Sequence, residues 1–198
     1  MSAASSVFCA ESASVFATAA RSRAASFCSF MDEGPDLLRL EDQDRARWDG
    51  DLISRGLWHL DQAASGDRLT AYHIEAEIAA CHAVAGRFEA TNWARIATLY
   101  DYLLAMKPTP VVGLNRAIAI SRVHGAAAGL DALRSVASSD TLARYYLLHA
   151  TLGQLTLETG NRRSAAEHFR AALACDCSAP ERRFLERQLA DSEAQLDN

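Results

Sequence analysis

The sequence predicts an all-α protein whose antiparallel helix pairs stack as a tetratricopeptide-like helical repeat array. Apolar residues recur at three- and four-residue steps from about residue 42 onward, and short polar turns separate these stretches without the alternation typical of strands. A pattern of small, aromatic and aliphatic residues also recurs 69 residues later, about twice the 34-residue tetratricopeptide period. The two matching sets are Ile96, Tyr100, Leu104 and Pro108, and Ala165, Phe169, Leu173 and Cys177.

The composition is that of an ordinary globular chain. Its 198 residues are 49% hydrophobic and 23% charged, which suffices for one core or one helical array. The net charge of -5 argues against a free-standing nucleic-acid binder, which needs an excess of Lys and Arg. No apolar run approaches the roughly 18–20 residues of a membrane span. Five cysteines without regular spacing favour a reducing compartment, so we expect a cytoplasmic protein with no membrane partner.

The composition changes near Gly34-Pro35. Residues 1–36 are rich in Ser and Ala and show no helical stripe, so they are predicted to be a poorly ordered or spurious leader. A transit peptide is the alternative, because such segments are also Ser-rich and poor in acidic residues. Residues 37–198 are predicted to form the helical-repeat domain.

Three helices are predicted before Pro108, each bounded by a polar cap or a glycine turn. They span about 42–64, 70–85 and 92–106. Asp42 or Asp44 is expected to cap the first helix, and Thr91 or Asn92 the third. Their buried stripes are expected to include Trp48, Leu52, Leu57 and Leu60, then Ile74, Ile78 and Cys81, then Ile96, Leu99 and Leu103.

Five more helices are predicted after Pro108. They span about 111–123, a short stretch after Gly125, 140–159, 162–175 and 179–195. The repeat pattern is strongest in the sixth and seventh helices. There Gly153 is expected to let the two helices approach closely, while the Phe169 ring fills the space toward the next pair.

Candidate chemical sites are weak in this sequence. Cys175-x-Cys177 lacks both the two-residue gap and the second ligand pair that are typical of zinc sites. His-Glu-x-x-His, Gly-x-Ser-x-Gly and phosphate-loop motifs do not occur. We therefore predict a non-catalytic protein with no metal and no cofactor. An enzymatic alternative requires His73, His82 and Glu77 to converge in one pocket.

The segment Leu40–Asp49 is dense in charge and has two interpretations. It can be a capped, solvated helix start, or it can be a face that docks on another domain. The residue types alone do not separate the two.

This segment opens an ordered series of motifs that resembles the C-terminal extension of one group of extracytoplasmic-function RNA polymerase sigma factors. The resemblance covers about residues 37–198. Its motifs are Leu40–Asp49, Tyr72–Ala83, Asn92–Ile96, Leu99–Asp101, Pro108–Ala119, Tyr146–Ala150 and Ala179–Leu185.

The resemblance implies a tetratricopeptide-like regulatory module that acts in transcription initiation. In that family the module follows two regions: region 2 binds core RNA polymerase and the −10 promoter element, and region 4 reads the −35 element. The implied partners are therefore sigma regions 2 and 4 or core RNA polymerase. Residues 1–36 are too short to be either region, so promoter recognition by this chain itself is not expected.

Polar and aromatic residues in these motifs are the predicted partner-binding positions, because Trp and Arg often anchor interfaces. Trp48 and Trp93 can instead be core residues, and Asn115 a hydrogen-bonded helix residue. A second hypothesis is a stand-alone adaptor that binds an unrelated protein or peptide in the repeat groove. The predicted positions are Asp42, Gln43, Asp44, Arg45, Trp48, Asn92, Trp93, Asn115 and Arg116.

Overall fold

The computed structural model describes residues 39–66, 68–137 and 142–194, and no strand occurs in these ranges. Within these ranges eight α-helices follow one another and pack in adjacent pairs, which confirms the predicted all-α class. The predicted leader, residues 1–36, lies outside the described residues. The helices are α1 Gly50–Ala64, α2 Ala71–Ala83, α3 Trp93–Met106, α4 Pro110–His124, α5 Ala126–Ala137, α6 Tyr146–Glu158, α7 Arg162–Leu173 and α8 Ala179–Ala194, with 3-10 turns at Arg45–Arg47 and Phe88–Ala90.

The first helix begins later than predicted. Asp49 is its cap, since its Oδ1 accepts hydrogen bonds from the backbone N–H groups of Asp51 and Leu52, both at 3.1 Å. The prediction that Asp42 or Asp44 caps this helix was therefore wrong. Asp44 instead caps the preceding 3-10 turn, accepting from the Ala46 N–H. Asn92 does cap α3, as predicted, through a 3.0 Å bond from the Arg95 N–H.

Tertiary contacts divide the chain into two compact units. The first holds α1, α2 and α3, and the second begins at Pro108 and holds the remaining five helices. In the first unit, α2 contacts both α1 and α3. Its core includes Ala63 of α1 against Ala76 of α2, with Leu60 packed beside them. Within the described ranges, no helix is long and apolar enough to cross a bilayer.

In the second unit, each helix contacts the next one in the chain. One apolar cluster joins α4, α5 and α6 through residues such as Leu114, Leu133 and Leu155. Another joins α7 and α8 through Ala165, Phe169, Ala172 and Leu185.

Glu181 ties α6 to the beginning of α8. Its carboxylate accepts a hydrogen bond from the Tyr146 hydroxyl and further bonds from the N–H and the hydroxyl of Ser178, both at 2.7 Å. The bond from Tyr146 is the largest of the causes that lower the pKa of Glu181. The Glu181 side chain thus accepts from a backbone N–H at the start of α8 and also links α8 to α6.

Gly153 allows the close approach of α6 and α7. A Cβ placed there would lie 2.7 Å from Cε1 and 2.8 Å from Cδ1 of Phe169. The Phe169 ring is 1% exposed and also packs with Leu185 of α8. The predicted role of Gly153 is confirmed, and the ring of Phe169 fills space on both sides of α7.

We expect Gly153→Ala to lower the free energy of unfolding by about 1–3 kcal/mol, because the added methyl overpacks a filled site. Gly50→Ala is the matched control: it lies at a helix start with nothing within 4 Å of its Cβ position, and it should be neutral or stabilise by up to about 1 kcal/mol. Urea unfolding of both variants measures this. The double variant Gly153→Ala/Phe169→Leu should lose less unfolding free energy than the sum of the losses of the two single variants, because the smaller Leu leaves room for the added methyl. Equal losses for Gly153→Ala and Gly50→Ala would refute the steric explanation.

Candidate functional site

Arg45 is a buried cation that caps the C-terminal end of α2. Its Nη1 donates to the carbonyl oxygens of His82 at 2.7 Å and Ala85 at 2.8 Å, and its Nη2 donates to Thr91 Oγ1 at 3.2 Å. These carbonyls lie where a helix leaves acceptors unsatisfied and where its dipole favours positive charge. Burial is the main influence on the pKa of Arg45 and lowers it, while Glu89 raises it. The guanidinium stays protonated at neutral pH.

Two tryptophans from distant segments pack at the same end of α2 as Arg45. The Trp48 ring centroid lies 5.0 Å from Cζ of Arg45, a cation–π distance. Trp93 meets the rings of His82 and Phe88 edge-on, with centroids 5.1 Å and 5.3 Å apart. The structure therefore brings Arg45, Trp48 and Trp93 together around the end of α2. We call these three residues with His82 and Thr91 the Arg45 cluster.

The other predicted partner-binding residues lie outside the Arg45 cluster. Asp42 is exposed and pairs with Arg39, whose Nε lies 2.8 Å from its Oδ2. Gln43 is half-buried next to it. Asn92 uses its side-chain oxygen to cap α3. Asn115 and Arg116 are half-buried on α4, in the second unit. Partner binding at all nine positions remains a prediction.

His82 is a neutral imidazole held beside a cation. Burial, and secondarily the charge of Arg45, lower its pKa to about 4. Its Nδ1 is buried with no hydrogen-bond partner among the described residues. A protonated ring here would lack solvation and would lie near a second positive charge.

The catalytic alternative required His73, His82 and Glu77 in one pocket. His73 and Glu77 line the same cleft, but His82 is not among the residues that line it. His73 is 7% exposed and its ring is engaged: Nδ1 lies 2.7 Å from Thr70 Oγ1, and Nε2 lies 3.3 Å from the Ala63 carbonyl. The Glu77 carboxylate pairs with Arg95, whose Nε is 2.8 Å away. The His82 ring packs on Trp93 instead. In the described ranges, no three His, Cys, Asp or Glu side chains form a group that could hold a metal.

A cleft of about 710 Å³ opens between α1 and α2. Leu57, Leu60, Ala63 and Ala64 line it from α1, while Leu69 lines it from the α1–α2 connection. The charged residues among the described lining are Asp61, Arg68 and Glu77. Sequence reasoning missed this α1–α2 cleft. The available signal was Leu69, an apolar residue outside every helical stripe, which is 64% exposed.

Comparison with known proteins finds a relative in Rhizobium. An uncharacterized protein of Rhizobium meliloti (strain 1021) is 36% identical over 159 residues. The match covers 80% of this chain and 37% of that protein, so the chain spans little more than a third of its curated relative. No family model matches the chain, and no solved structure matches it.

Arg45→Ala should destabilise the first unit by about 3 kcal/mol, because it removes charged hydrogen bonds and leaves buried carbonyls unsatisfied. Arg55→Ala is the control, since Arg55 is exposed on α1. Amide hydrogen exchange locates the loss: protection should fall in α2 and the α2–α3 connection. Unchanged protection there in Arg45→Ala would contradict the anchoring role.

The low pKa of His82 predicts acid sensitivity. The folded-state pKa is about 4 against an ordinary 6.5, so between these pH values the unfolded chain binds the proton more readily. The stabilisation is complete above pH 6.5 and is lost as pH falls toward 4. After allowance for partial solvent exposure, we expect the free energy of unfolding to fall by on the order of 1–3 kcal/mol over this pH range. Urea unfolding at pH 7, 5.5 and 4.5 measures it, and His82→Asn should flatten this part of the curve. An equally steep curve in His82→Asn would assign the acid sensitivity to other groups.

Proposed function

We propose that this chain is a non-catalytic regulatory module that acts in transcription initiation, in the manner of the C-terminal extension of an extracytoplasmic-function sigma factor. Its partners under this proposal are sigma regions 2 and 4 or core RNA polymerase. It does not recognise promoter DNA on its own, it needs no cofactor, and it works in the cytoplasm where the polymerase is found.

The observation that carries the proposal is the Arg45 cluster. Arg45 and Trp48 come from the motif Leu40–Asp49, His82 comes from Tyr72–Ala83, and Trp93 comes from Asn92–Ile96. Arg45 reaches bonding partners 37, 40 and 46 residues away in the chain. Three motifs of the resemblance therefore meet in one packed cluster, which supports treating them as parts of one structural module.

Two further observations support the proposal. The Rhizobium relative is much longer than the matched region, as expected for a module that is joined to other domains. The net charge of -5 suits a protein that binds basic protein surfaces better than one that binds phosphates.

The alternative is a stand-alone helical-repeat adaptor that binds an unrelated protein or peptide. The α1–α2 cleft favours it, because a concave, largely apolar surface can accept a peptide segment without any sigma region.

Biolayer interferometry with the immobilised full chain tests the proposal. The analytes are core RNA polymerase, a purified fragment with sigma regions 2 and 4 from a factor that naturally carries this extension, and a promoter duplex. We expect saturable binding to the polymerase or the sigma fragment with Kd below about 10 μM, and no binding to the duplex alone at physiological salt.

Asp42→Ala should weaken that binding without unfolding the chain, because Asp42 is exposed and its surface ion pair contributes little stability. Asp191→Ala, at an exposed position on α8, is the matched control. Absence of binding to both protein analytes would reject the proposal and leave the adaptor as the better explanation.

A further inference from the structure

We propose that the α1–α2 cleft binds a short segment of a partner protein in which a leucine-type side chain is flanked by Arg or Lys. This inference deepens the proposed interaction role and rests on it. It names one surface of the first unit and the chemistry of the segment that this surface accepts.

The floor of the cleft is apolar, and the hydrogen-bonding groups of its polar residue already have partners. Leu57, Leu60 and Ala63 supply aliphatic surface, and His73, the polar residue beneath them, has both ring nitrogens engaged with Thr70 and Ala63. An apolar guest side chain therefore leaves no buried donor or acceptor of the His73 ring unpaired, whereas a polar guest would lose its own hydration without gaining a partner there.

Leu69 is the apolar contact at the rim. It is 64% exposed although it lines the cleft, so a guest side chain would remove much of its surface from water. The cleft volume of about 710 Å³ is within the range that holds several side chains of a peptide.

A charged residue on the rim favours a bound segment with Arg or Lys beside its leucine. Glu77 is already neutralised by Arg95, and Arg68 already has an interaction within the chain. Asp61 is exposed and forms no ion pair with any described residue, so its carboxylate is available to a partner cation. A partner cation beside the buried leucine would neutralise it.

Fluorescence anisotropy with matched probes tests the inference on the full chain. The first probe is a fluorescein-labelled amphipathic peptide of about 14 residues, with leucines one helical turn apart and an arginine beside each. The second replaces each arginine with glutamate, and the third replaces each leucine with alanine. We expect the arginine probe to bind about tenfold more tightly than either of the others, and its affinity to fall as salt is raised.

Charge reversal makes the test specific. Asp61→Arg should invert the preference, so that the glutamate probe binds more tightly than the arginine probe, whereas Asp191→Arg should leave the preference unchanged. Leu69→Ala should weaken both leucine probes about fivefold. These positions are exposed, and circular dichroism checks that the variants fold. No saturable binding of the arginine probe, or a preference that Asp61→Arg does not alter, overturns the inference.

The two proposals fail in different ways. If Asp61→Arg and Leu69→Ala bind the polymerase or the sigma fragment as the wild type does, and the probes show no preference, the cleft inference fails while the proposed function stands. If the probes bind as expected but neither transcription protein binds, the cleft is a peptide site and the sigma-related function is rejected.

Discussion

A buried cation at the end of α2 constrains the first unit. The carbonyls of His82 and Ala85 need donors that the helix cannot supply, and Arg45 supplies both from a segment that precedes α1. Its guanidinium group also lies over the Trp48 ring. The neighbouring His82 imidazole stays neutral, mainly because its ring is buried and secondarily because Arg45 is charged, so stability and acid sensitivity arise at the same place.

The second unit is held by shape complementarity more than by charge. Gly153 leaves a gap that the Phe169 ring fills, and the ring continues into the cluster that α7 shares with α8. The Tyr146 hydroxyl and the Glu181 carboxylate add a polar tie between α6 and α8. Each helix therefore depends on its neighbour in the chain, as in repeat arrays whose stability is a sum of adjacent interfaces.

The helical class and most helix positions could be predicted because apolar periodicity is a local signal that needs only neighbouring residues. The beginning of α1 was mispredicted since Asp42, Asp44 and Asp49 are all competent caps, and only the backbone geometry selects Asp49. Arg45 was chosen as a partner-binding residue for its charge, yet its guanidinium is engaged inside its own chain. A contact that spans 46 residues leaves no trace in local spacing. The α1–α2 cleft was missed for the same reason, because it arises from how two helices pack.

The placement of Arg45 has a mechanical consequence. The residue comes before α1 in the chain but is bonded to the far end of α2 and to Thr91. Tension applied to the chain ahead of residue 45 would reach the connection into α3 without passing through α1. Force on the Leu40–Asp49 segment would therefore be transmitted to Thr91, and the α2–α3 connection would yield while α1 stays folded.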